Sequence, residues 1–244
     1  MRRRRFSAVL AILAILAVLA VEVGEAATER VTLRTDDGLS LAATWYEPPF
    51  RPAPAVILVH MLNRSHREWD ELAQRLASAG IGALAFDLRG HGESAGSVAS
   101  GDGTQADYSA MVLDVKAARR FLAERPGVQQ SRVGLAGASL GANLAALEAS
   151  SDASVASLAL LSPSLDYRGL RIEAAVRKIG ERPVLLVAGD DDPYALMSAK
   201  DLQKAGEGLR ELLVLSQAGH GSSMLARNPD LVRTLVDWFR RTLL

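Results

Sequence analysis

This chain of 244 residues predicts an α/β fold: one mostly parallel sheet, doubly wound, with helices on both faces. Three observations predict it. Short continuous apolar runs recur along the chain, stretches of helical period alternate with them, and Gly, Pro, Asp and Asn punctuate the joins. Strands buried on both faces read as unbroken apolar runs, and alternation with helices implies parallel crossovers. The length suits one large core, and neither an internal repeat nor a second domain is visible.

The first 26 residues stand apart. Arg2, Arg3, Arg4 and Arg5 precede a nearly unbroken apolar run over residues 6–21, and Gly24-Glu25-Ala26-Ala27 brings small residues to a cleavage position. That is the pattern of a secretory signal cut between Ala26 and Ala27. The expectation is an exported protein, periplasmic or secreted, whose mature domain 27–244 has no stable membrane insertion. The alternative is an uncleaved membrane anchor, although the run is at or below spanning length.

In the mature chain, apolar segments 31–33 and 39–45 flank the turn residues Asp36-Asp37-Gly38, predicting an antiparallel hairpin. A Pro-rich link (Pro48, Pro49, Pro52, Pro54) follows. Strands are then expected over 55–59, 81–86, 133–136, 155–161, 184–188 and 211–215. Ser65 and Glu68 have capping-box spacing ahead of Trp69, Leu72 and Leu76, which share a helical face, and Gly80 can close that helix. Met111, Val115, Ala118 and Leu122 form a second stripe ending near Pro126. Asn228-Pro229 opens the last helix, whose Leu231, Val232, Leu235, Trp238 and Phe239 suit core packing. Residues 163–182 leave room for one short helix and little else, so no cap domain is expected.

Charge and cysteine content exclude several classes. Removing the signal takes away four of 28 basic and two of 28 acidic residues, leaving 24 against 26. So small a net charge gives no reason to expect nucleic acid or an anionic membrane as partner. The absence of Cys excludes disulfides, thiolate metal sites, a cysteine nucleophile and a lipidated cysteine.

Three loops carry the chemistry. Gly137-Ala138-Ser139-Leu140-Gly141, Gly189-Asp190-Asp191-Asp192 and Gly219-His220-Gly221 each follow an expected strand, in the order nucleophile, acid, base. A second G-x-S-x-G, Gly92-Glu93-Ser94-Ala95-Gly96, lies between Gly-punctuated residues and a Ser- and Gly-rich stretch through Thr104. Only Ser139 has an apolar run before it and a helix-forming Ala- and Leu-rich segment, 140–149, behind it. Of four histidines, His66 falls in an expected exposed helical turn, His91 in a glycine-shaped loop and His60 at a strand end. His220 alone comes late enough to serve as the base. Among the acids Asp192 is favoured, with Asp191 next and Asp166 third, because Asp at a strand end also serves simply as a turn former. An oxyanion needs preorganised N–H donors. The backbone of Leu140 is one candidate, and the loop after His60 offers Leu62 or, alternatively, Met61.

These motifs resemble the α/β-hydrolase fold enzymes of the esterase, lipase and dienelactone-hydrolase-like group, over residues 30–244. The segment from Phe86-Asp87-Leu88-Arg89 to Ser94 is similar to that family's D-x-R-G-x-G-x-S, which makes Ser94 structural. Gly189-Asp190-Asp191-Asp192 is similar to its G-x-x-D, which places the acid on Asp192, and Gly219-His220-Gly221 to its terminal histidine motif. Two departures stand out. His60-Met61 replaces the common His-Gly, and a serine occupies the position where dienelactone hydrolases proper carry cysteine. The resemblance implies a cofactor-independent, metal-free serine hydrolase of small carboxylic esters, with Met61, Tyr167, Tyr194 and Met224 at the rim of an open site. A peptidase or amidase using the same groups, and a catalytically silent binding protein on the same scaffold, are the rival expectations.

Overall fold

The computed structural model describes residues 26–96 and 105–244. The expected signal segment up to residue 25, and most of the Ser- and Gly-rich stretch after Ser94, lie outside the described residues. The elements run β1 (Thr28–Arg34), β2 (Ser40–Tyr46), β3 (Ala53–Val59), a 3-10 turn (His66–Trp69), α1 (Asp70–Ser78), β4 (Gly82–Phe86), α2 (Gln105–Ala110), α3 (Val112–Glu124) and β5 (Val128–Ala138). They continue with α4 (Leu140–Ser151), β6 (Val155–Leu161), β7 (Asp166–Tyr167), β8 (Leu170–Arg171), α5 (Glu173–Ile179), β9 (Val184–Gly189), α6 (Pro193–Lys204), β10 (Arg210–Leu215), α7 (Ser223–Arg227) and α8 (Pro229–Leu243).

Among the described residues the main sheet has eight strands in the order β1-β2-β4-β3-β5-β6-β9-β10. β2 runs antiparallel to both β1 and β4, and all other neighbours are parallel. The expected hairpin closes at Arg34 opposite Ser40. β5 begins five residues before its expected start, because Val128 already pairs with Ala53 although the intervening Gln129, Gln130, Ser131 and Arg132 carry no apolar signal. Backbone pairing does not require apolar side chains, so the hydrophobic pattern under-reports a strand that projects beyond the core.

The strands alternate between two cores with period two. In β3, Ala55, Ile57 and Val59 join a cluster with α3, α4, α5 and α6, while Val56 and Leu58 join a second with α1 and α8. The Met111, Val115, Ala118, Leu122 stripe lies in the first and the Trp69, Leu72, Leu76 face in the second. Helices therefore cover both faces, as the continuous apolar runs predict. No helix among the described residues is long and apolar enough to cross a membrane.

Strand order also locates a crevice. From β3 the chain goes outward to β4 on one side and later to β5 on the other. At such a reversal the loops leaving the strand ends diverge, and the carboxyl ends of adjacent strands open a cleft. The loops after β3 and β5 begin at His60 and Ser139.

Candidate active site

Ser139 occupies the single residue between β5 and α4 with φ 51° and ψ −115°, a conformation that costs a non-glycine residue on the order of 1–3 kcal/mol. Its neighbours hold it there. The Ser139 N–H donates to Leu161 O at 2.8 Å, and its carbonyl accepts from Ala142 and Asn143 N–H at 3.0 and 3.2 Å. The glycines either side permit close approach: a Cβ on Gly137 would lie 2.2 Å from Gly141 O, and one on Gly141 would lie 2.2 Å from Val59 O. Helix α4 thus starts against the end of β3, and the hydroxyl is lifted to the mouth of the crevice.

The loop after β10 brings the imidazole to it. His220 Nε2 lies 2.7 Å from Ser139 Oγ, and Nδ1 lies 2.5 Å from Asp192 Oδ2. A neutral ring with its proton on Nδ1 donates to Asp192 and leaves Nε2 to accept from the serine hydroxyl. All three aspartates grip this loop, each at a different point. Asp190 Oδ1 accepts Gln217 N–H at 2.7 Å, Asp191 Oδ1 accepts Gly219 N–H at 2.9 Å, and Asp192 takes the ring itself. Asp192 also sits at the N-cap of α6, its other oxygen 3.4 Å from Ala195 N. On the far side, Gly221 N–H donates to buried Ser162 Oγ at 2.9 Å. Asp166, the third candidate acid, instead binds Arg171 and Gly169 N–H at the β7–β8 turn.

Opposite lies the loop after β3. His60 is buried, with Nε2 accepting Leu88 N–H at 2.9 Å and Nδ1 2.7 Å from Met61 O. Burial pushes its pKa down to about 4, so it is a neutral strut for the loop. Of the two backbone donors considered on this loop, Met61 N–H is committed to Glu68 Oε1 at 3.0 Å. Neither Leu62 N–H nor Leu140 N–H has a hydrogen-bond partner among the described residues. Leu140 N–H, directly after the serine and at the positive end of α4, is a donor suited to a developing negative charge, and Leu62 N–H is the one left on the loop after β3.

Several expectations need correcting. His66 is buried rather than exposed: its backbone N–H and its Nδ1 both meet Asp87 Oδ1, at 2.7 and 2.8 Å. Ser65 makes no side-chain cap, and Glu68 turns away from the helix end to the site, so the capping box does not form. Met224 is fully buried in the α1–α8 core and is no rim residue, since the short α7 turns it inward. The other rim candidates fare differently. Met61 is half-buried with its sulfur over Gly221, where a Cβ would lie 2.7 Å from Sδ, and the same Cβ would lie 3.6 Å from Ser139 Cβ. Tyr167 is half-buried and edge-on to Tyr108 at 6.0 Å, and Tyr194 is exposed with its hydroxyl 3.4 Å from Asp166 O. Sequence reading missed Tyr108 and Asn143. Asn143, one turn past the elbow, clamps the β7–β8 segment by donating to Ser164 O and Leu170 O and accepting Ser164 N–H. An Asn in an otherwise Ala- and Leu-rich helix was the available signal.

Comparison with known proteins agrees with this architecture. A family model described as serine aminopeptidase, S33 matches residues 51–205. An uncharacterized protein of Mycobacterium tuberculosis, Rv2307c, is 28% identical over 236 residues, covering 87% of this chain and 78% of its own. Among solved structures, a dienelactone hydrolase from Anabaena variabilis superposes with a TM-score of 0.75 at 18% identity, covering 91% of this chain and 100% of that one. An esterase of Pyrococcus furiosus superposes with a TM-score of 0.70 at 19% identity, covering 90% and 92%. At these identities the structural likeness speaks to the fold.

Proposed function

This chain belongs to the serine aminopeptidase S33 family of α/β-hydrolases, and on that premise we propose that it cleaves small carboxylic esters through an acyl-enzyme on Ser139. The observation that carries the reading is the hydrogen-bonded chain from Ser139 Oγ through His220 to Asp192. A serine hydroxyl attacks an acyl carbon only if its proton has somewhere to go. In the proposed cycle His220 Nε2 takes that proton as the Oγ–C bond forms. The Leu140 and Leu62 N–H groups receive the oxyanion. The imidazolium, stabilised by Asp192, then gives its proton to the departing alkoxide as the C–O bond breaks. Water, deprotonated by the same nitrogen, releases the acid and restores Ser139.

A second reading, peptide or amide cleavage, is favoured by the description of the family itself. It asks more of His220, because an amine leaves only once protonated. A nitrophenyl ester and an aminoacyl nitroanilide, offered to the same preparation, separate the two. A fluorophosphonate probe tests what they share: covalent labelling of Ser139 is expected, and an unlabelled chain would favour a silent binding protein on this scaffold. Export is part of the proposal, with residues 1–26 as its signal. Amino-terminal sequencing of protein recovered from the cell envelope should begin at Ala27, and an intact terminus would favour the membrane-anchored alternative.

A further inference from the structure

We propose that Glu68 is a positioning residue for the hydrolysis assigned above, a strut that sets the oxyanion loop and the His220 loop at a fixed separation. The inference rests on that functional reading and deepens it. Glu68 Oε1 accepts Met61 N–H at 3.0 Å, and Oε2 accepts the hydroxyl of Ser222, two residues past His220, at 2.7 Å. Among the described residues no other side chain bonds to both loops. Its own platform is rigid. The 3-10 turn that carries it is pinned on one side by His66 on the Asp87 carboxylate and on the other by Trp69, fully buried against α1 and α8.

Two consequences follow for the reaction. By occupying Met61 N–H, Glu68 leaves Leu62 as the donor on this loop and fixes the peptide plane next to it. By holding Ser222, it completes the grip on the His220 loop begun by Asp190, Asp191 and Ser162. The oxyanion donor and the base lie about 160 residues apart in sequence, yet a productive geometry has to hold within about 0.5 Å. Burial supports the assignment. It pushes the carboxyl up to about 7 against the lowering pull of the Ser222 and Met61 hydrogen bonds.

The test compares Glu68→Ala, Glu68→Gln and Ser222→Ala in the full chain, by thermal melting, steady-state ester hydrolysis and the rate of fluorophosphonate labelling. Glu68→Ala should lower kcat and the labelling rate by about ten- to a hundredfold, with KM within about threefold, because a displaced oxyanion donor weakens transition-state binding specifically. Glu68→Gln keeps an acceptor for Met61 and can donate to Ser222, so it should recover most of that loss. Ser222→Ala cuts one end of the strut and should fall between them. Wild-type kcat in Glu68→Ala, or a well-folded Glu68→Gln as impaired as the alanine variant, would overturn the assignment. If Glu68→Ala does not fold, Ser222→Ala decides, and unchanged turnover there overturns it equally. A parent chain that neither labels at Ser139 nor turns over ester overturns the functional reading instead.

Discussion

Two segments of this molecule share the pattern G-x-S-x-G and put it to opposite uses. In Gly92-Glu93-Ser94-Ala95-Gly96 the serine hydroxyl is consumed at both ends: Oγ donates to Asp87 O at 2.6 Å and accepts Ala42 N–H at 2.9 Å. The loop after β4 is thereby stitched to β2, and Gly92, at φ 52°, lies so close that a Cβ would overlap the Asp87 carboxylate. In Gly137-Ala138-Ser139-Leu140-Gly141 the glycines yield space to backbone, the serine itself takes the strained φ, and its hydroxyl is left for His220. One motif spends its serine on stability, and the other spends backbone strain on keeping its serine available. Flanking structure separates them, since a strand before and a helix behind force the sharp turn.

The largest expected effect breaks the comparison outright. Ser139→Ala should lower ester turnover by on the order of 10⁵-fold or more in a chain that melts like the parent, since removing a serine nucleophile eliminates the covalent route. Comparable turnover would mean that Ser139 is no nucleophile. Next in size, Asp192→Asn should cost on the order of 10³ to 10⁴ in kcat, through loss of the imidazole tautomer. Asp190→Asn, at a carboxylate that holds Gln217 N–H and the Ser216 side chain but not the ring, should cost less than about tenfold. Equal losses in the two variants would show that gripping the loop, and not orienting the ring, is what the aspartates supply. The smallest effect on turnover sharpens the contrast from the other side. Ser94→Ala should keep kcat within about twofold while losing about 2 kcal/mol of stability, because it removes two hydrogen bonds and strands the Ala42 N–H. For a domain of this size that is a fall of about 4–8 °C in Tm, checked by calorimetry. A Ser94→Ala chain as stable as the parent would remove the structural half of the comparison.

Much of this architecture is legible in the sequence, for identifiable reasons. The β6 run 155–161 coincides with its strand because both its faces are buried, so every residue reports the element. The apolar pattern under-reports β5 because its first residues project past the core. Helix α8 was legible from Asn228-Pro229 onward, where the fixed φ of proline starts a helix independently of neighbours. The capping box at Ser65 and Glu68 fails because local and distant partners compete for one carboxylate. The local one offered a single helix-end N–H, and the distant ones offered Met61 N–H and Ser222 Oγ–H together.

By itself, then, the sequence determined the α/β class, the order of the main-sheet strands along the chain and the three loops that bear serine, acid and histidine, because apolar period and turn chemistry act over a few residues. Tertiary structure gave the aspartates their separate contacts, with Asp192, the one the motif favours, on the imidazole and Asp190 and Asp191 on the backbone of the same loop, since this depends on the direction each carboxylate takes from the end of β9 toward a loop 28 residues away. It decided that Met224 faces the core, that His66 binds Asp87 in the interior, and that Glu68 bridges two loops with its Ser222 partner 154 residues distant. Such contacts are set by how packed layers dock, and a hydrogen bond between residues far apart in the chain leaves no periodic trace in it.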